Sequence, residues 1–184
     1  MLAIVPFRGL DGAKTRLAAV LPPEARARLA LEMLDRVLVA CEGASSIERT
    51  LLVTPDPSAP RSGVDLLEDG GTGHPAAVAL ALVDPRAQNG AVVVMADCPL
   101  VEPGSLDALV AAARPLALVA ARDGGVNALA LRNPAAFRPV FGVPAADTVA
   151  RARAAGIEPA ILDDERLSLD VDRPEDYELA LALL

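Results

Sequence analysis

The 184 residues suffice for one domain with a buried core, and we expect a single domain over residues 1–184. Hydrophobic residues make up 53 % of the chain but aromatic residues only 2 %, so Leu, Val, Ile and Ala must build the interior. The formal net charge of −8 argues against a nucleic-acid-binding protein, which needs a basic face. Any site for phosphorylated ligands therefore needs local cations or a metal ion.

Apolar runs separated by Pro and Gly predict strands and helices that alternate along the chain. Strands are predicted over residues 2–5, 51–53, 66–67, 91–95, 117–121, 127–131, 160–162 and 167–169. Helices are predicted over residues 22–40, 75–83, 103–114, 146–155 and 174–183, and a Pro-rich loop over 54–63. This order is typical of an α/β fold, in which helices cover both faces of a mostly parallel sheet. Because such sheets bind ligands beyond the carboxyl ends of their strands, the residues just after each strand are the candidates for function.

The loop after the first strand is basic and rich in small residues. Arg8, Lys14 and Arg16 lie among Gly9 and Gly12, and small residues allow backbone N–H groups to approach phosphate oxygens. Neither the Walker spacing nor the dinucleotide-binding spacing of glycines is present. A solvated basic loop and a phosphate-binding loop are both open interpretations of this segment alone.

A carboxylate, Asp97, follows the strongest predicted strand. Its desolvation at the tip of a central strand must be offset, and a divalent cation would do so. The alternative is a purely structural role as a turn or cap residue before the helix that begins near Pro103.

Asp170 and Asp172 are separated by one residue after an apolar run. In an extended chain this spacing places both side chains on one face, where two carboxylates repel each other unless a cation lies between them. The alternative for Asp172 is a capping box with Glu175 at the start of the last helix. That alternative leaves Asp170 unexplained.

Together, the three carboxylates and the basic loop favour Mg²⁺ and a nucleoside triphosphate. In-line attack on phosphorus needs positioning and charge neutralisation more than a nucleophilic side chain. His74 is the only histidine, which argues against a histidine zinc site and favours a loop residue or a contact to a base or ribose. Asn127 follows a Gly-Gly turn, where it is able to bind a carboxylate or a phosphate.

Five segments occur in an order that resembles a known family. They are VPFR at 5–8, AKTRL at 13–17, MADCPL at 95–100, GGVNAL at 124–129 and LDVDRPED at 169–176. The chain is similar over nearly its whole length to the 2-phospho-L-lactate or phosphoenolpyruvate guanylyltransferases of coenzyme F-420 biosynthesis. The resemblance implies a three-layer, nucleotide-diphospho-sugar-transferase-like (GT-A-like, Rossmann-like) fold with a mostly parallel mixed sheet.

The resemblance also implies the substrates: GTP and a small phosphorylated three-carbon acid, with release of pyrophosphate. It implies metal binding by Asp97, Asp170 and Asp172, and catalytic roles for Lys14 and Asp97. The nucleotide-binding residues that it implies are Pro6, Phe7, Arg8, Lys14, Arg16, Gly71 and His74. The acceptor-binding residues that it implies are Asn127, Gly142 and Ala145.

The chain departs from the family pattern at two places. Residues 143–147 lack the hydroxyl residue and the histidine that are common after the Phe-Gly step, and Gly73-His74 replaces a common Leu-Asn pair. Both departures lie on the predicted acceptor and base side of the site. Two alternatives therefore stay open: another nucleotidyltransferase of this fold, of the molybdenum-cofactor or sugar-phosphate type, and a non-catalytic nucleotide-binding module.

The cellular setting follows from composition and cysteine usage. Cys41 and Cys98 lie far apart without metal-ligand spacing, which favours reduced thiols in a reducing compartment. We see no secretory signal and no apolar run long enough to span a membrane. We therefore expect a cytoplasmic protein with no nucleic-acid or membrane partner, and a homodimer is compatible with its apolar composition.

Overall fold

A computed structural model of the chain describes residues 1–56, 63–71 and 73–184. The strands in these ranges are β1 (Leu2–Pro6), β2 (Arg49–Thr54), β3 (Asp65–Glu68), β4 (Ala91–Val94), β5 (Leu116–Ala120), β6 (Val126–Leu131) and β7 (Ala160–Leu162). The helices are α1 (Pro23–Gly43), α2 (His74–Leu82), α3 (Pro103–Ala112), α4 (Ala145–Ala154), α5 (Glu165–Ser168) and α6 (Pro174–Leu183). One 3-10 turn, Thr15–Leu17, follows the basic loop, and another, Pro85–Ala87, precedes β4. The middle of the predicted Pro-rich loop, residues 57–62, lies outside the described ranges.

The strands form one seven-stranded sheet in the order β3-β2-β1-β4-β6-β5-β7. β1 is parallel to β2 and β4, and β5 is parallel to β7. β6 is antiparallel to both β4 and β5, so six strands share one direction and β6 alone is reversed. The predicted mostly parallel mixed sheet is confirmed.

Helices cover both faces of the sheet, as the near-continuous apolar strands predict. Successive residues of β1 alternate between the faces: Val5 packs with Leu34 of α1 and Leu109 of α3. Ile4 packs on the opposite face with Val78 of α2. The architecture therefore has three layers, with the sheet in the middle. Within the described ranges, no helix combines the length and hydropathy needed to cross a bilayer.

The predicted strand over residues 167–169 is wrong. The carboxylate of Asp164 accepts hydrogen bonds from the backbone N–H groups of Arg166 and Leu167 at 2.9 and 3.0 Å. This cap starts the single helical turn α5, which ends at Ser168. Leu167 and Leu169 are fully buried, so their spacing reflects packing against the core and not pairing in the sheet.

A third, smaller apolar cluster fixes two loops at the carboxyl edge of the sheet. Leu17 follows the basic loop, and Leu169 and Val171 alternate with the two predicted metal-binding aspartates. All three side chains are fully buried, and they pack with Met33 of α1 and Ala180 of α6. Burial of Leu169 and Val171 directs Asp170 and Asp172 to the opposite side of the extended segment.

Candidate active site

A cleft of about 930 Å³ lies at the carboxyl edge of the sheet. The cleft is lined by the residues that follow β1 and β4, the first turn of α2, the turn between β5 and β6, and residues 141–144. Most of the predicted site residues line it: Pro6, Phe7, Arg8, Lys14, Arg16, His74, Asp97, Asn127, Gly142, Asp170 and Asp172. Gly71 and Ala145 do not. The Gly71 N–H donates to Asp69 Oδ1, and Ala145 is buried with its N–H donating to the Gly124 carbonyl.

Three carboxylates converge in this cleft from two separate loops. One oxygen from each of Asp97, Asp170 and Asp172 lies within 4.8 Å of the other two. The loops are joined directly, because the Val171 N–H donates to the Asp97 carbonyl at 3.1 Å. The prediction that the Asp170 and Asp172 side chains lie on one face agrees with their positions.

Lys14 reaches into the carboxylate cluster. Its Nζ lies 2.6 Å from Asp97 Oδ2 and 2.9 Å from Asp172 Oδ1, and only 12 % of its side chain is exposed. Burial by itself would lower the pKa of Lys14, but the two carboxylates more than offset it and raise that pKa. Lys14 therefore stays a cation inside the cleft.

The backbone of Lys14 adopts the left-handed conformation, with φ 50° and ψ 45°. It is the one non-glycine residue with positive φ in the described part of the chain, and this conformation costs about 1–2 kcal/mol. Its two charge-assisted hydrogen bonds offset that cost. The left-handed backbone is therefore maintained by the ion pairs of the ammonium group, which it directs into the cleft.

Asp172 is not the cap of the last helix, so the alternative interpretation of a capping box with Glu175 is wrong. Asp176 Oδ2 instead accepts from the backbone N–H groups of Asp172 and Arg173, at 3.2 and 2.8 Å. The Asp172 carboxylate is left to pair with Lys14 and with Arg16, whose Nη1 lies 2.8 Å from Asp172 Oδ2. Burial opposes ionisation of Asp172, but Lys14 and Arg16 together outweigh burial and lower the pKa of Asp172.

The carboxylate cluster fits a divalent cation in two respects. Asp97 Oδ1 is buried and has no hydrogen-bond partner in the described ranges, which is costly for a carboxylate oxygen. Burial, with a smaller contribution from Asp97, raises the pKa of Asp170 to about 6 against the opposing hydrogen bond from Asn127. An all-oxygen donor set of this kind is the one that Mg²⁺ and Mn²⁺ prefer.

His74 begins α2 and lines the cleft. Burial lowers the pKa of His74, and the nearby cations Arg8 and Lys14 lower it further while Asp97 opposes them. The imidazole is therefore neutral at neutral pH. Arg8 is exposed at the mouth of the cleft, next to buried Pro6 and Phe7.

The remaining wall of the cleft offers backbone and apolar groups. The turn with Gly124 and Gly125 joins β5 to β6, and Phe141 and Gly142 precede α4. Gly142 has φ 79°, and a Cβ there would lie 3.1 Å from Pro75 Cγ. This wall is closely packed against the start of α2.

Besides Asp11, sequence reasoning missed one charged residue of the cleft, Asp123. It is exposed, accepts the Gly125 N–H at 3.0 Å, and contributes to the raised pKa of Asp170. The DGG run was interpreted only as a turn. An acidic residue next to a turn between two strand tips is the signal that marks it.

Comparison with known proteins agrees with this geometry. The family model described as "Guanylyl transferase CofC like" matches residues 1–182. The chain belongs to this family. The predicted resemblance is therefore confirmed.

Similar curated relatives carry the names of three different acceptor acids. A phosphoenolpyruvate guanylyltransferase of Sphaerobacter thermophilus is 39 % identical, covering 96 % of this chain and 90 % of the relative. A 3-phospho-D-glycerate guanylyltransferase of Phenylobacterium zucineum is 35 % identical, covering 95 % of this chain and 86 % of the relative. A 2-phospho-L-lactate guanylyltransferase of Halorubrum lacusprofundi is 35 % identical, covering 96 % and 82 %.

Solved structures show the same fold at low sequence identity. A candidate nucleotide-diphospho-sugar transferase of Desulfovibrio desulfuricans G20 matches with a TM-score of 0.78 at 18 % identity, covering 97 % of this chain and 85 % of that one. The manganese complex of Rv0371c from Mycobacterium tuberculosis H37Rv matches with a TM-score of 0.60 at 21 % identity, covering 100 % of this chain and 98 % of that one. The predicted nucleotide-diphospho-sugar-transferase-like fold is confirmed.

Proposed function

We propose that the protein transfers GMP from GTP to a phosphorylated three-carbon acid and releases pyrophosphate, as a step of coenzyme F-420 biosynthesis. The observation that carries the proposal is the cluster of Asp97, Asp170 and Asp172 beside a buried, charged Lys14, in a chain of the guanylyltransferase family. Among the acids named for its relatives, we place phosphoenolpyruvate first, because relatives at 39 % and 38 % identity bear that name. 2-Phospho-L-lactate is the second candidate, and 3-phospho-D-glycerate, the acid named for another relative, is the third.

In the proposed reaction a phosphate oxygen of the acid attacks the α-phosphorus of GTP. A new P–O bond forms there, and the bond between the α-phosphorus and its bridging oxygen breaks, with the electron pair leaving on pyrophosphate. The attacking group is itself an anionic phosphate, so the reaction needs no nucleophilic side chain. The cleft then has to orient two anions and neutralise their charge.

The charged side chains of the cleft suit these tasks. Asp97, Asp170 and Asp172 would hold a divalent ion, which we propose to be Mg²⁺ and which neutralises phosphate charge when bound. The overall charge of −8 repels a triphosphate. Inside the cleft, Lys14, Arg8 and Arg16 supply local positive charge for the triphosphate and for the leaving pyrophosphate.

We assign the nucleoside to the side of the cleft formed by Pro6, Phe7 and His74. Neutral His74 is able to donate or accept one hydrogen bond to a base or ribose without adding charge. Gly71, which the family resemblance also assigns to the nucleotide, belongs to the neighbouring loop and does not line the cleft. The acid lies against Gly142, on the side where Ala145 supports the Gly124 turn.

The test is release of pyrophosphate from GTP with a panel of phosphoenolpyruvate, 2-phospho-L-lactate and 3-phospho-D-glycerate. ATP, CTP and UTP run alongside, with Mg²⁺ or Mn²⁺ present. Release with GTP and one acid supports the proposal and identifies the acceptor. Folded protein that binds GTP and releases no pyrophosphate with any acid contradicts it and indicates a nucleotide-binding module instead.

A further inference from the structure

The segment that carries Asp170 and Asp172 is not a strand of the sheet, so ladder hydrogen bonds do not hold it. Backbone–backbone hydrogen bonds join it to other segments at two points: the Arg122 N–H donates to the Ser168 carbonyl at 3.0 Å, and the Val171 N–H donates to the Asp97 carbonyl at 3.1 Å. Neither contact reaches the Asp170 side chain. Apart from the N–H of Asp170 itself, the group that orients this carboxylate must be a side chain.

Asn127 supplies this contact. Its Nδ2 donates to the Leu167 carbonyl at 3.1 Å, to the Ser168 carbonyl at 3.1 Å and to Asp170 Oδ1 at 3.0 Å. In the described ranges no other side chain donates a hydrogen bond to Asp170. The amide therefore ties the loop backbone and the carboxylate to the tip of β6.

The position of Asn127 is itself rigid. Only 4 % of the residue is exposed, and its backbone carbonyl accepts from the Met95 N–H at 2.9 Å. This second bond holds the tip of β6 beside the residues that lead from β4 to Asp97. Asn127 thus lies between the two loops that deliver the carboxylates.

The same contacts leave Asn127 little to offer a substrate. A side-chain amide has two N–H bonds, and three acceptors of the protein already share them. Binding the acceptor acid through Nδ2 would cost at least one of these contacts. This speaks against the acceptor-binding role that the family resemblance implies for the residue.

We infer that Asn127 is a positioning residue that orients Asp170 toward the divalent cation, and not a contact of the acceptor acid. The inference rests on the proposed function in taking Asp170 as a metal ligand. The geometry that supports it is the shared set of hydrogen bonds from one buried amide to the carboxylate and to two carbonyls beside it.

The experiment measures Mn²⁺ affinity of Asn127→Ala by electron paramagnetic resonance, with a non-hydrolysable GTP analogue present. Loss of a residue that orients a metal ligand raises the dissociation constant about 10- to 100-fold. At saturating Mn²⁺ the KM for the acid should equal that of the wild type, and turnover lost at low Mn²⁺ should return. Unchanged Mn²⁺ affinity, or a KM for the acid that stays raised at saturating Mn²⁺, overturns the inference.

Two further variants keep the test independent of folding. Asn133→Ala removes an amide whose oxygen accepts the Ala135 N–H in a loop that does not line the cleft, and it should leave Mn²⁺ affinity unchanged. If Asn127→Ala does not fold, Asn127→Ser replaces it, since its hydroxyl is able to bond one of the two carbonyls. Asn127→Ser should bind Mn²⁺ more weakly than the wild type, and wild-type affinity in this variant overturns the inference.

A double-mutant comparison separates positioning from a general structural effect. In an Asp170→Ala background, the substitution at Asn127 should lower Mn²⁺ affinity no further, because its target is gone. A full additional loss there contradicts the inference. Because Mn²⁺ binding needs no turnover, a weakened Asn127 variant of a protein that releases no pyrophosphate would refute the proposed function alone.

Discussion

The two walls of the cleft are built in opposite ways. The charged wall consists of Lys14, Asp97, Asp170 and Asp172, whose side chains are joined by hydrogen bonds to one another or to Asn127. The neutral wall consists of Gly124, Gly125 and residues 141–144, which present backbone groups and apolar side chains. On the charged wall, position is set by side-chain chemistry. On the neutral wall, it is set by the path of the backbone.

This difference suggests a division of labour. Charges that hold phosphates and a cation serve every acceptor equally, whereas a backbone wall discriminates acids by shape and by a few placed hydrogen bonds. Relatives named for three different acids are similar to this chain along nearly the whole of its own length. We therefore expect substitutions on the charged wall to change metal binding and turnover, and substitutions on the neutral wall to change use of the acid.

The largest effect is expected for Asp97→Asn. It removes one of the three clustered carboxylates and the 2.6 Å partner of Lys14, so pyrophosphate release should fall about 100- to 1000-fold. The measurement is kcat for pyrophosphate release at several Mg²⁺ concentrations. Full activity of the folded variant would contradict a role of the charged wall in catalysis.

Asp107→Asn is the matched control for loss of a carboxylate. Asp107 accepts hydrogen bonds from the backbone and hydroxyl groups of Ser45 and Ser46, which lower its pKa to about 2. It does not line the cleft. This variant should lower the thermal midpoint and leave kcat unchanged.

Lys14→Met should affect metal binding and turnover in opposite directions. The ammonium group lies between Asp97 and Asp172, where it competes with a divalent cation for the same oxygens. Without nucleotide, the variant should bind Mn²⁺ about 10-fold more tightly, because a positive charge near the site is gone. Pyrophosphate release should nevertheless fall about 100-fold, because the leaving group loses a cation.

Arg16→Met is the comparison for this prediction. Arg16 also pairs with Asp172, but 63 % of its side chain is exposed, so solvent screens its charge. The gain in Mn²⁺ affinity should be smaller than that of Lys14→Met. Equal gains would show that overall charge, and not the position of Lys14, controls cation binding.

Local patterns explain why the charged wall could be predicted from the sequence. Asp97 follows an unbroken apolar strand, and the alternation of Leu169 and Val171 with Asp170 and Asp172 is visible in the printed residues. The alternation identified the correct face even though the predicted strand was wrong. Burial of every second residue sets this face, whether or not the segment pairs with the sheet.

Other features depend on contacts distant in sequence. The tie between Asn127 and Asp170 spans 43 positions, and no local pattern indicates it. The left-handed backbone of Lys14 was equally hidden, since glycine is the usual residue for that conformation and two ion pairs offset its cost here. The Asp164 cap outweighed strand propensity in residues 165–168 because it provides immediate hydrogen-bond partners.

Gly142→Ala tests the neutral wall. The residue has φ 79°, and the new Cβ would lie 3.1 Å from Pro75 Cγ, so the wall must shift at a cost of about 1 kcal/mol. We expect the KM for the acid to rise about 5-fold with Mn²⁺ affinity unchanged. Gly156→Ala, also at positive φ but with open space around its Cβ, is the control for backbone strain. Loss of Mn²⁺ affinity in Gly142→Ala would show that the two walls are not independent.

The smallest effect is expected for Asp170→Asn, measured as a change in the stability of the metal-free protein. Burial raises the pKa of Asp170 to about 6 in the folded chain, above its ordinary value of 3.8. The folded state therefore binds a proton that the unfolded state has lost between these pH values, and stability falls as pH rises through this window.

A neutral Asn side chain at this position avoids the cost of burying an ionised carboxylate. At pH 8 the metal-free variant should be more stable than the wild type by about 1 kcal/mol, a figure reduced for the partial exposure of the carboxylate. The difference should shrink toward zero as pH falls from 6 to below 3.8, where Asp170 becomes protonated in both states. Urea unfolding in the presence of a chelator measures this difference in stability at each pH.

Saturating Mn²⁺ with a GTP analogue should reverse the order of stability, because only the wild type keeps all three carboxylates for the cation. A variant that is less stable without metal would show that the Asp170 carboxylate stabilises the fold and is not held ready for a ligand.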